Sequence, residues 1–433
     1  MIAEYIYRAG IALRNPDILI KYDFLLQSQH WTREQLYQHQ YFHLAQLIKH
    51  AYLHSEYYRM TFDQNHVDPH SVTSLSCLNN IPTITKDELV KYRDKIQISV
   101  GSERLFYAET SGSTGKPLVF YRNQEWDAWN RASVFRGYSW YGVKPWDNNG
   151  YLWGYNFSLT RRFKTLFFDR LQNRFRLFSY KDEEIDRFIK MLTRASYLSG
   201  YSSMIYEVAK RINSSRHPRL RFNLKMIKGT SEKIFDSYQH EVKAAFGKPI
   251  ISEYGAAETG IIAFECPQGA MHINMETVIV EEINSEILVT NLASKSFPII
   301  RYKLGDYVRL DRDARCACGM EHEIVMEVLG RVGKIIYGRQ HQYPSLTLYY
   351  VFKNLAVEHE LIFNYQGSQS EKGRMELKIE GVLASEKERN LIRRELVKYF
   401  SSDLDVDILD GQTLHSRKGK KTDFISTVDP MSH

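Results

Sequence analysis

Apolar residues recur at helical spacing near the start of the chain, most clearly between residues 32 and 54. At about 100° per residue, five of them fall on one face of a helix: Tyr37, Tyr41, Leu44, Ile48 and Ala51. Four histidines lie roughly opposite this stripe, namely His39, His43, His50 and His54. No acidic residue stands beside them, and ligand histidines usually need a second partner that orients the ring. We therefore predict a solvated histidine face, with a metal site as the alternative.

Between residues 100 and 330, helical patterns alternate with short β-rich runs. The clearest helices are predicted at 181–195 and 232–246. The clearest strands are KPIISEY at 248–254 and SEILVTNL at 285–292. Such alternation is typical of layered α/β domains, so we assign this part of the chain to the α/β class.

The last hundred residues predict a compact β-α-β unit. Its elements are MELKIEG at 375–381, a charged helix at 385–400 and the run DVDILD that follows. A chain of 433 residues is too long for one ordinary core. We predict a large domain at 1–329 with a helical first 100 residues, a boundary segment at 330–334 and a small domain at 335–433.

Composition and charge narrow the function classes. The chain is 43% hydrophobic and 13% aromatic, which is ample for globular folding. No apolar run approaches the roughly 18 residues that a bilayer crossing needs, and the first 20 residues contain four charges and no signal-peptide cleavage pattern. We expect a cytoplasmic protein. The net charge of +7 suits anionic substrates such as ATP or CoA, but there is no concentrated basic stripe, so we expect no nucleic-acid partner.

The most informative motif is the octapeptide TSGSTGKP at 110–117. Gly112 and Gly115 allow positive φ and bring backbone N–H groups close to an anion. Further donors and a positive charge come from Thr110, Ser111, Ser113, Thr114 and Lys116. Pro117 stops a helix from starting after the lysine, unlike the GxxxxGK[ST] loop of other nucleotide-binding proteins. A strand-like LVFY follows, so we predict a mobile hairpin loop closing over a triphosphate, with a plain surface linker as the alternative.

Four further motifs follow in a characteristic order: EYGAAETG at 253–260, PIIRYKLGD at 298–306, LGRVGK at 329–334 and SRKGKK at 416–421. With the glycine loop, they resemble the adenylate-forming superfamily, which joins a carboxylic acid to ATP as an acyl-AMP and then transfers the acyl group. The set is more narrowly similar to the phenylacetate-CoA ligase family and its capsular polysaccharide biosynthesis branch. AYLHSEYYR at 51–59 and IPTITKDELV at 81–90 extend the resemblance towards the N-terminus. It implies a large multi-layer α/β domain with a small mobile α+β lid, joined by a hinge at 330–334.

The resemblance also implies roles for single residues in the large domain. Glu258 matches the magnesium-binding glutamate, and carboxylate oxygen is what magnesium prefers. Tyr254 matches the aromatic residue that flanks adenine, and Asp306 matches the acid that holds both ribose hydroxyls. Ser231 and Glu232 match a pair near the nucleotide. Each has an ordinary structural alternative, such as a core tyrosine or a solvated turn acid.

The hinge and the C-terminal motif supply the remaining matches. Arg331 corresponds to the hinge arginine that contacts ribose or phosphate. Lys420 corresponds to the lysine that bridges the carboxylate and the α-phosphate, although Lys418 and Lys421 stand close to it. The chain departs from the family pattern at two places. Ala257 lacks the hydroxyl that many relatives carry, so that phosphate contact is missing or comes from Thr259. Gly333 and Lys334 replace the hinge acids, and glycine still permits backbone rotation.

The resemblance therefore implies an AMP-forming ligase that uses ATP and Mg²⁺ to activate a carboxylic acid and releases pyrophosphate. The acceptor is left open between CoA and an amine on a sugar. A triphosphate hydrolase and a catalytically inactive scaffold of a capsule assembly are the rival interpretations. Trp153, Tyr155 and Tyr201 are candidates for the wall of the acid pocket.

The cysteines present a separate question. In a cytoplasmic protein they are not expected to form a disulfide framework, which leaves metal binding or reduced thiols. Cys266, His272, Cys316 and Cys318 together have the composition of a structural Cys₃His zinc site, and only Cys77 is left out. Reduced surface thiols are the alternative, because the Cys-x-Cys spacing is not the common CxxC.

The stretch 161–178 interleaves arginines with aromatic residues. We predict a helix whose Phe and Leu side chains pack inward while the arginines extend to solvent. Peripheral contact with a membrane, a lipid-linked sugar or the phosphates of CoA is the alternative.

Overall fold

The computed structural model describes residues 2–428 apart from short gaps. The gaps are 73, 100, 102, 111–117, 153–158, 179–181, 215–219, 232–233, 235, 332–334, 360, 362, 364, 381, 384, 413–415, 418–419 and 422–423. For some residues inside helices and strands, only the backbone is described. The chain divides into two compact units, of which the first comprises Met1–Thr110 with Leu118–Leu329 and the second Gly330–His433.

Helices dominate the first hundred residues and alternate with strands in the rest of the chain. Within the described residues they are α1 (Ile2–Arg14), α2 (Asp17–Ser28), α3 (Arg33–His54), α4 (Glu56–Gln64), α5 (Lys86–Lys91), α6 (Arg93–Ile96), α7 (Gln124–Trp140), α8 (Leu159–Leu171), α9 (Asp182–Leu192), α10 (Ser202–Asn213), α11 (Asp236–Phe246), α12 (Leu346–His359) and α13 (Glu386–Phe400), with a 3₁₀ turn at Leu75–Asn80. None of these helices combines the length and apolar character that crossing a membrane needs.

The strands of the large unit form one eleven-stranded sheet and a separate hairpin. They are β1 (Phe106–Glu109), β2 (Val119–Arg122), β3 (Asn149–Leu152), β4 (Arg174–Arg176), β5 (Tyr197–Tyr201), β6 (Met226–Thr230), β7 (Ile251–Ala256), β8 (Gly260–Glu265), β9 (Met271–Ile273), β10 (Val278–Ile283), β11 (Glu286–Asn291), β12 (Ile299–Asp311) and β13 (Ile324–Arg331). The large sheet has the order β10-β11-β12-β13-β9-β8-β7-β6-β5-β3-β4, and β1 pairs with β2. Strands β3 to β7 run parallel, whereas β7, β8 and β9 pair antiparallel. The predicted α/β class is confirmed.

The small unit contains the remaining strands: β14 (Ile335–Tyr337), β15 (Gln342–Pro344), β16 (Tyr365–Glu371), β17 (Arg374–Ile379), β18 (Asp405–Leu409), β19 (Ser416–Arg417), β20 (Lys420–Lys421) and β21 (Phe424–Ser426). Its main sheet has the order β18-β17-β16-β21, with β17 and β18 parallel. Ser385 begins α13 by accepting the Glu388 N–H, and the helix connects the two parallel strands. The predicted β-α-β unit is therefore confirmed.

Helix α3 corrects one prediction. Thr32 and Gln35 form a capping box at its start, as the sequence pattern favours. The histidine face, however, is not simply solvated, because His39, His43 and His50 are half-buried and only His54 is exposed. Ring nitrogens of His39 and His50 lie 3.1 and 3.0 Å from the carbonyl oxygens of Glu276 and Lys295. The helix is packed on two sides, so the histidines pair with backbone carbonyls.

Helix α8 corrects the prediction made for residues 161–178. The prediction of inward-packed Phe and Leu holds for Phe175 and Leu177, which are buried, but it is wrong for the helix itself. Its apolar residues Phe163, Leu166, Phe167 and Phe168 are all exposed.

The N-terminal segment is joined to the large sheet through β12. Ile84 forms a parallel bridge with Tyr302, and its N–H donates to the Arg301 carbonyl at 3.2 Å. The Arg301 guanidinium donates to the Ile81 carbonyl at 2.6 Å, and the Tyr58 hydroxyl donates to the Pro298 carbonyl at 2.9 Å. These contacts position the strand that carries the PIIRYKLGD motif.

Candidate nucleotide site and cysteine–histidine cluster

The glycine loop begins and ends on the β1–β2 hairpin. Glu109 pairs with Val119, and the buried Thr110 follows. The Thr110 N–H donates to the Leu118 carbonyl, and the Leu118 N–H donates to Thr110 Oγ1, both at 3.0 Å. The Thr110 hydroxyl is thus an acceptor that closes the base of the loop. The other predicted loop residues, Ser111, Gly112, Ser113, Thr114, Gly115 and Lys116, lie outside the described residues.

Glu258 lies in the short turn between β7 and β8. Its carboxylate is buried and accepts a hydrogen bond of 2.8 Å from the hydroxyl of Tyr302, which is itself buried. Asn291 donates to the Thr259 carbonyl at 2.8 Å and holds the turn. The Thr259 side chain is fully buried, and its hydroxyl lies 3.3 Å from the Gly260 carbonyl. Thr259 therefore does not replace the hydroxyl that is absent at Ala257.

Arg122 is a residue of this site that sequence reasoning missed. It is the last residue of β2, and its guanidinium donates to the Ala257 carbonyl beside Glu258. The guanidinium stacks over Trp126 at 5.4 Å, and its buried Nε has no hydrogen-bond partner among the described residues. Burial lowers the pKa of Arg122 to about 10, although the nearby Glu258 acts in the opposite direction. A cation therefore lies between the base of the glycine loop and the predicted magnesium ligand.

Tyr254 and Asp306 come together from strands that are separated in the sequence. The Tyr254 hydroxyl donates to Asp306 Oδ2 at 2.8 Å, and both side chains are half-buried. Tyr254 lies on β7 and Asp306 on β12, four residues after Tyr302. The two residues matched to the nucleoside thus contact each other, and the same two strands carry Tyr302 and the chain leading to Glu258.

The remaining predicted residues are placed only in part. Ser231 follows β6 in a left-handed conformation with φ of 66°, and Glu232 lies outside the described residues. Arg331 ends β13, and Lys420 pairs with Arg417 across β19 and β20, but only the backbones of Arg331 and Lys420 are described. Gly333 and Lys334 of the predicted hinge, as well as Trp153 and Tyr155, also lie outside the described residues, whereas Tyr201 is half-buried at the end of β5.

The four predicted zinc ligands converge. One ligand atom from each of Cys266, His272, Cys316 and Cys318 lies within 4.8 Å of all the others. The Cys266 and Cys316 sulfurs are 3.6 Å apart, and Cys318 Sγ is 3.2 Å from His272 Nε2. Cys266 and His272 flank the turn from β8 to β9, whereas the Cys-x-Cys pair lies between β12 and β13.

The donor set fits zinc. Sulfurs about 2.3 Å from a tetrahedral zinc would lie roughly 3.8 Å apart, close to the separation of the Cys266 and Cys316 sulfurs. Burial lowers the pKa of His272 to about 4, so its imidazole is neutral at physiological pH and able to bind a metal. Burial raises the pKa of Cys266 to about 12, so without a metal this thiol keeps its proton.

With the geometry established, known proteins provide a comparison. No protein-family model matches the chain. Protein CapK of Staphylococcus aureus is 26% identical over 299 residues, which make up 66% of this chain and 66% of CapK. A crystal structure of 2-hydroxyisobutyryl-CoA ligase with 2-HIB-AMP and CoA in the thioesterification state aligns with a TM-score of 0.64 and 17% identity. It covers 92% of this chain and 91% of the other. This is the fold of the adenylate-forming superfamily.

A second structure of the same ligase, in the postadenylation state with 2-HIB-AMP, aligns with a TM-score of 0.63 and 16% identity over 92% of this chain and 91% of the other. These similarities agree with the resemblance to the adenylate-forming superfamily and its capsule-linked branch. The narrower likeness to phenylacetate-CoA ligases stays a prediction.

Proposed function

We propose that the protein is an AMP-forming acid ligase. A carboxylate oxygen attacks the α-phosphorus of ATP, the bond to pyrophosphate breaks, and an acyl-AMP forms. An acceptor nucleophile then attacks the acyl carbon and AMP leaves. The observation that carries this proposal is the contact between Tyr254 and Asp306 beside a turn that holds Glu258 and Arg122. Tyr254 and Asp306 would bind the nucleoside, and the charged pair Glu258 and Arg122 would bind the phosphates.

Tyr254 and Asp306 hold the nucleoside. A carboxylate accepts several hydrogen bonds, so Asp306 takes the ribose hydroxyls while the Tyr254 phenol fixes its orientation. The aromatic ring of Tyr254 offers a face to the adenine. Ser231 and Glu232 complete the nucleotide contacts at the end of β6.

The triphosphate is bound by the glycine loop, Glu258 and Arg122. The loop contributes the N–H groups, hydroxyls and lysine of residues 111–116, and the Thr110 hydroxyl keeps its base closed. Mg²⁺, held through the carboxylate of Glu258, would neutralise phosphate charge. Arg122, whose buried Nε lacks a partner among the described residues, supplies the phosphate contact that the departure at Ala257 removes.

Lys420 stabilises charge at the reacting centre. An ammonium between the carboxylate and the α-phosphate favours the in-line arrangement and the developing negative charge. The small domain acts as a mobile lid that rotates about 330–334, where Gly333 permits the backbone change, and Arg331 contacts the ribose or a phosphate. After adenylation, the rotation withdraws Lys420 and admits the acceptor.

CoA is the first candidate acceptor, and an amine on a sugar is the second. The ligase with the same fold was crystallised with CoA, which supports a thioester-forming second step. Similarity to CapK supports a role in surface polysaccharide biosynthesis, where an amide-forming ligase acting on an amino sugar would fit. The supply of ATP places this chemistry in the cytoplasm.

Zinc is the second metal that we propose, with a structural role. All four tetrahedral positions would be filled by Cys266, His272, Cys316 and Cys318, which leaves none for a substrate or water. The ion would join the turn after β8 to the segment before β13.

Exchange of labelled pyrophosphate into ATP, measured across a panel of carboxylic acids, tests the ligase proposal. Exchange that depends on one acid supports it, whereas acid-independent formation of ADP would identify a triphosphate hydrolase. No exchange with any acid, in protein that binds ATP, would favour the inactive scaffold. Lys420→Ala should abolish exchange, and Lys418→Ala and Lys421→Ala are the matched controls. If Lys420→Ala retains exchange and a neighbouring variant loses it, the role belongs to that neighbour.

A further inference from the structure

Helix α8 turns its apolar side to solvent. Phe163, Leu166 and Phe167 are spaced as neighbours on one helical face, and their side chains are 72%, 42% and 61% exposed. Phe168, on the flank of this stripe, is also exposed and packs edge-on against Phe167. A helix of a soluble domain normally places such a stripe against the core. In α8 the arrangement is reversed.

The inward side of α8 is polar and firmly held. Thr165 and Asp169 share this side, and Asp169 is buried. The Asp169 carboxylate accepts hydrogen bonds from Arg176 Nε and Nη2 at 2.7 and 2.9 Å, and Arg174 lies 3.9 Å away. Turning the phenylalanines inward would take Asp169 away from both arginines. The exposure of the apolar stripe is therefore fixed by an ion pair.

The charged residues of α8 are mostly basic. Its sequence contains four basic residues, Arg161, Arg162, Lys164 and Arg170, and Asp169 is its only acid. The arginines of β4 pair with Asp169, so this acid does not offset the exposed cations Lys164 and Arg170. Lys164 and Arg170 are exposed beside the aromatic stripe. The exposed side of α8 thus combines phenylalanines with Lys164 and Arg170, and neither of these cations has an ion-pair partner among the described side chains.

The neighbouring helices show that this reversal is local. Helix α9 follows β4 and places Ile185, Phe188, Ile189 and Leu192 in the core, although its Met191 is exposed. Helix α1 contacts α8 and also leaves three large apolar side chains exposed, Tyr5, Ile6 and Leu13. Other exposed apolar side chains of this unit, such as Phe42 and Leu53 of α3, lie eleven residues apart in the sequence, whereas those of α8 are neighbours on one helix.

We propose that α8 docks the protein on an anionic lipid surface. Phe163, Leu166 and Phe167 insert at the level of the headgroups and upper acyl chains, while Lys164 and Arg170 contact acidic headgroups. A second copy of the chain is a poorer occupant, because a symmetric contact would bring two positively charged helices together. A short stripe without a lipid anchor gives reversible binding, which suits a peripheral protein.

Flotation of the full-length protein with vesicles tests this proposal. One set of vesicles contains phosphatidylcholine alone, and the other contains about one third phosphatidylglycerol. The protein should float with the anionic vesicles, and about 0.5 M salt should weaken this binding because it screens the charges. Phe163→Ser with Phe167→Ser should reduce the partition coefficient at least about tenfold. Lys164→Gln with Arg170→Gln should reduce it roughly 20- to 30-fold, or about fivefold for each charge.

The matched control is Phe42→Ser with Leu53→Ser, which removes two exposed apolar side chains from α3. This variant should bind anionic vesicles as the wild type does. Circular dichroism and thermal melting show whether each variant is folded. The proposal is overturned if the wild type does not bind anionic vesicles, or if the folded phenylalanine variant binds as well as the control. It is also overturned if sedimentation shows a dimer that only the phenylalanine substitutions dissociate and vesicles do not displace.

Discussion

Removal of one zinc ligand should release the metal and loosen the large unit. We choose Cys318→Ser, because Cys318 is the exposed ligand and its replacement leaves no cavity in the core. Cys77→Ser is the matched control, since Cys77 lies outside the cluster and its thiol is next to Ser71 and Ser74. Wild type and control should contain about one zinc per chain, and Cys318→Ser should contain almost none.

The size of the stability change follows from the span of chain that the metal closes. Cys266 and Cys316 are 50 residues apart in sequence, and their sulfurs lie 3.6 Å from each other. If zinc acts as a cross-link, closing a loop of about 50 residues restricts the unfolded chain by roughly 4 kcal/mol at 25 °C. With an unfolding entropy of about 2.1 cal/mol/K per residue over the about 320 residues of the large unit, the melting temperature should fall by roughly 6 °C.

Metal analysis of the purified protein and differential scanning calorimetry provide the two measurements. A chelator should lower the melting temperature of the wild type and the control by the same amount, but it should leave Cys318→Ser unchanged. Less than about half an equivalent of metal in freshly purified wild type would count against the site. Equal melting temperatures for Cys318→Ser and Cys77→Ser would refute the reasoning about the cross-link.

Three further predictions concern single side chains. Tyr254→Phe removes the hydrogen bond to Asp306 and should raise the KM for ATP about five- to tenfold with little change in kcat; an unchanged KM in exchange kinetics would contradict the nucleoside role. Arg122→Gln should slow acid-dependent exchange about a hundredfold and Arg122→Lys less, whereas equal rates in both would exclude a role for the charge. Burial alone would raise the pKa of Glu276, but Arg136 and His322 outweigh it and hold this pKa well below its usual value. The ion pair therefore stabilises the fold above about pH 4, and this stabilisation is lost as the pH falls through the lowered pKa. Urea unfolding should show Glu276→Gln less stable by about 3–5 kcal/mol at pH 7, with a smaller loss at acidic pH; a constant difference would exclude the linkage.

Local patterns predicted much of the fold and part of the site. The helix at 385–400 and its flanking strands could be predicted because a serine cap and alternating apolar residues act within a few residues. The convergence of Cys266 and Cys316 was predicted from residue type, since three cysteines and a histidine have the composition of a tetrahedral zinc site. In both cases the chemistry of the residues points to one arrangement.

Long-range packing accounts for what the sequence did not predict. Helix α3 has an apolar stripe, but burial of His39 and His50 depends on carbonyl groups of Glu276 and Lys295, more than 200 residues away. Arg122 was missed because its partner, the Ala257 carbonyl, has no signature in the sequence. The sequence nevertheless contained a signal for a second phosphate-binding residue. Arg122 lies on the strand after the glycine loop, and Ala257 stands where many relatives carry a hydroxyl.

The same reasoning explains α8. Its aromatic residues look like a core stripe when the helix is considered alone. Asp169 reverses the helix because its ion pair with Arg176 forms on the opposite side, and that partner comes from the following strand. An acidic residue within an apparently apolar helix should therefore be considered before the orientation of that helix is predicted.

The bridge between Ile84 and Tyr302 limits where the chain can be truncated or exchanged without disturbing the fold. The strand that carries Tyr302 and Asp306 obtains backbone partners from Ile84, and Arg301 adds a side-chain hydrogen bond to Ile81. A polypeptide that starts after residue 85 would leave this strand without those supports. The first 85 residues therefore support the strand that carries Tyr302 and Asp306. Exchanging them between homologues as an independent module should disturb substrate binding, even though none of their side chains belongs to the proposed site.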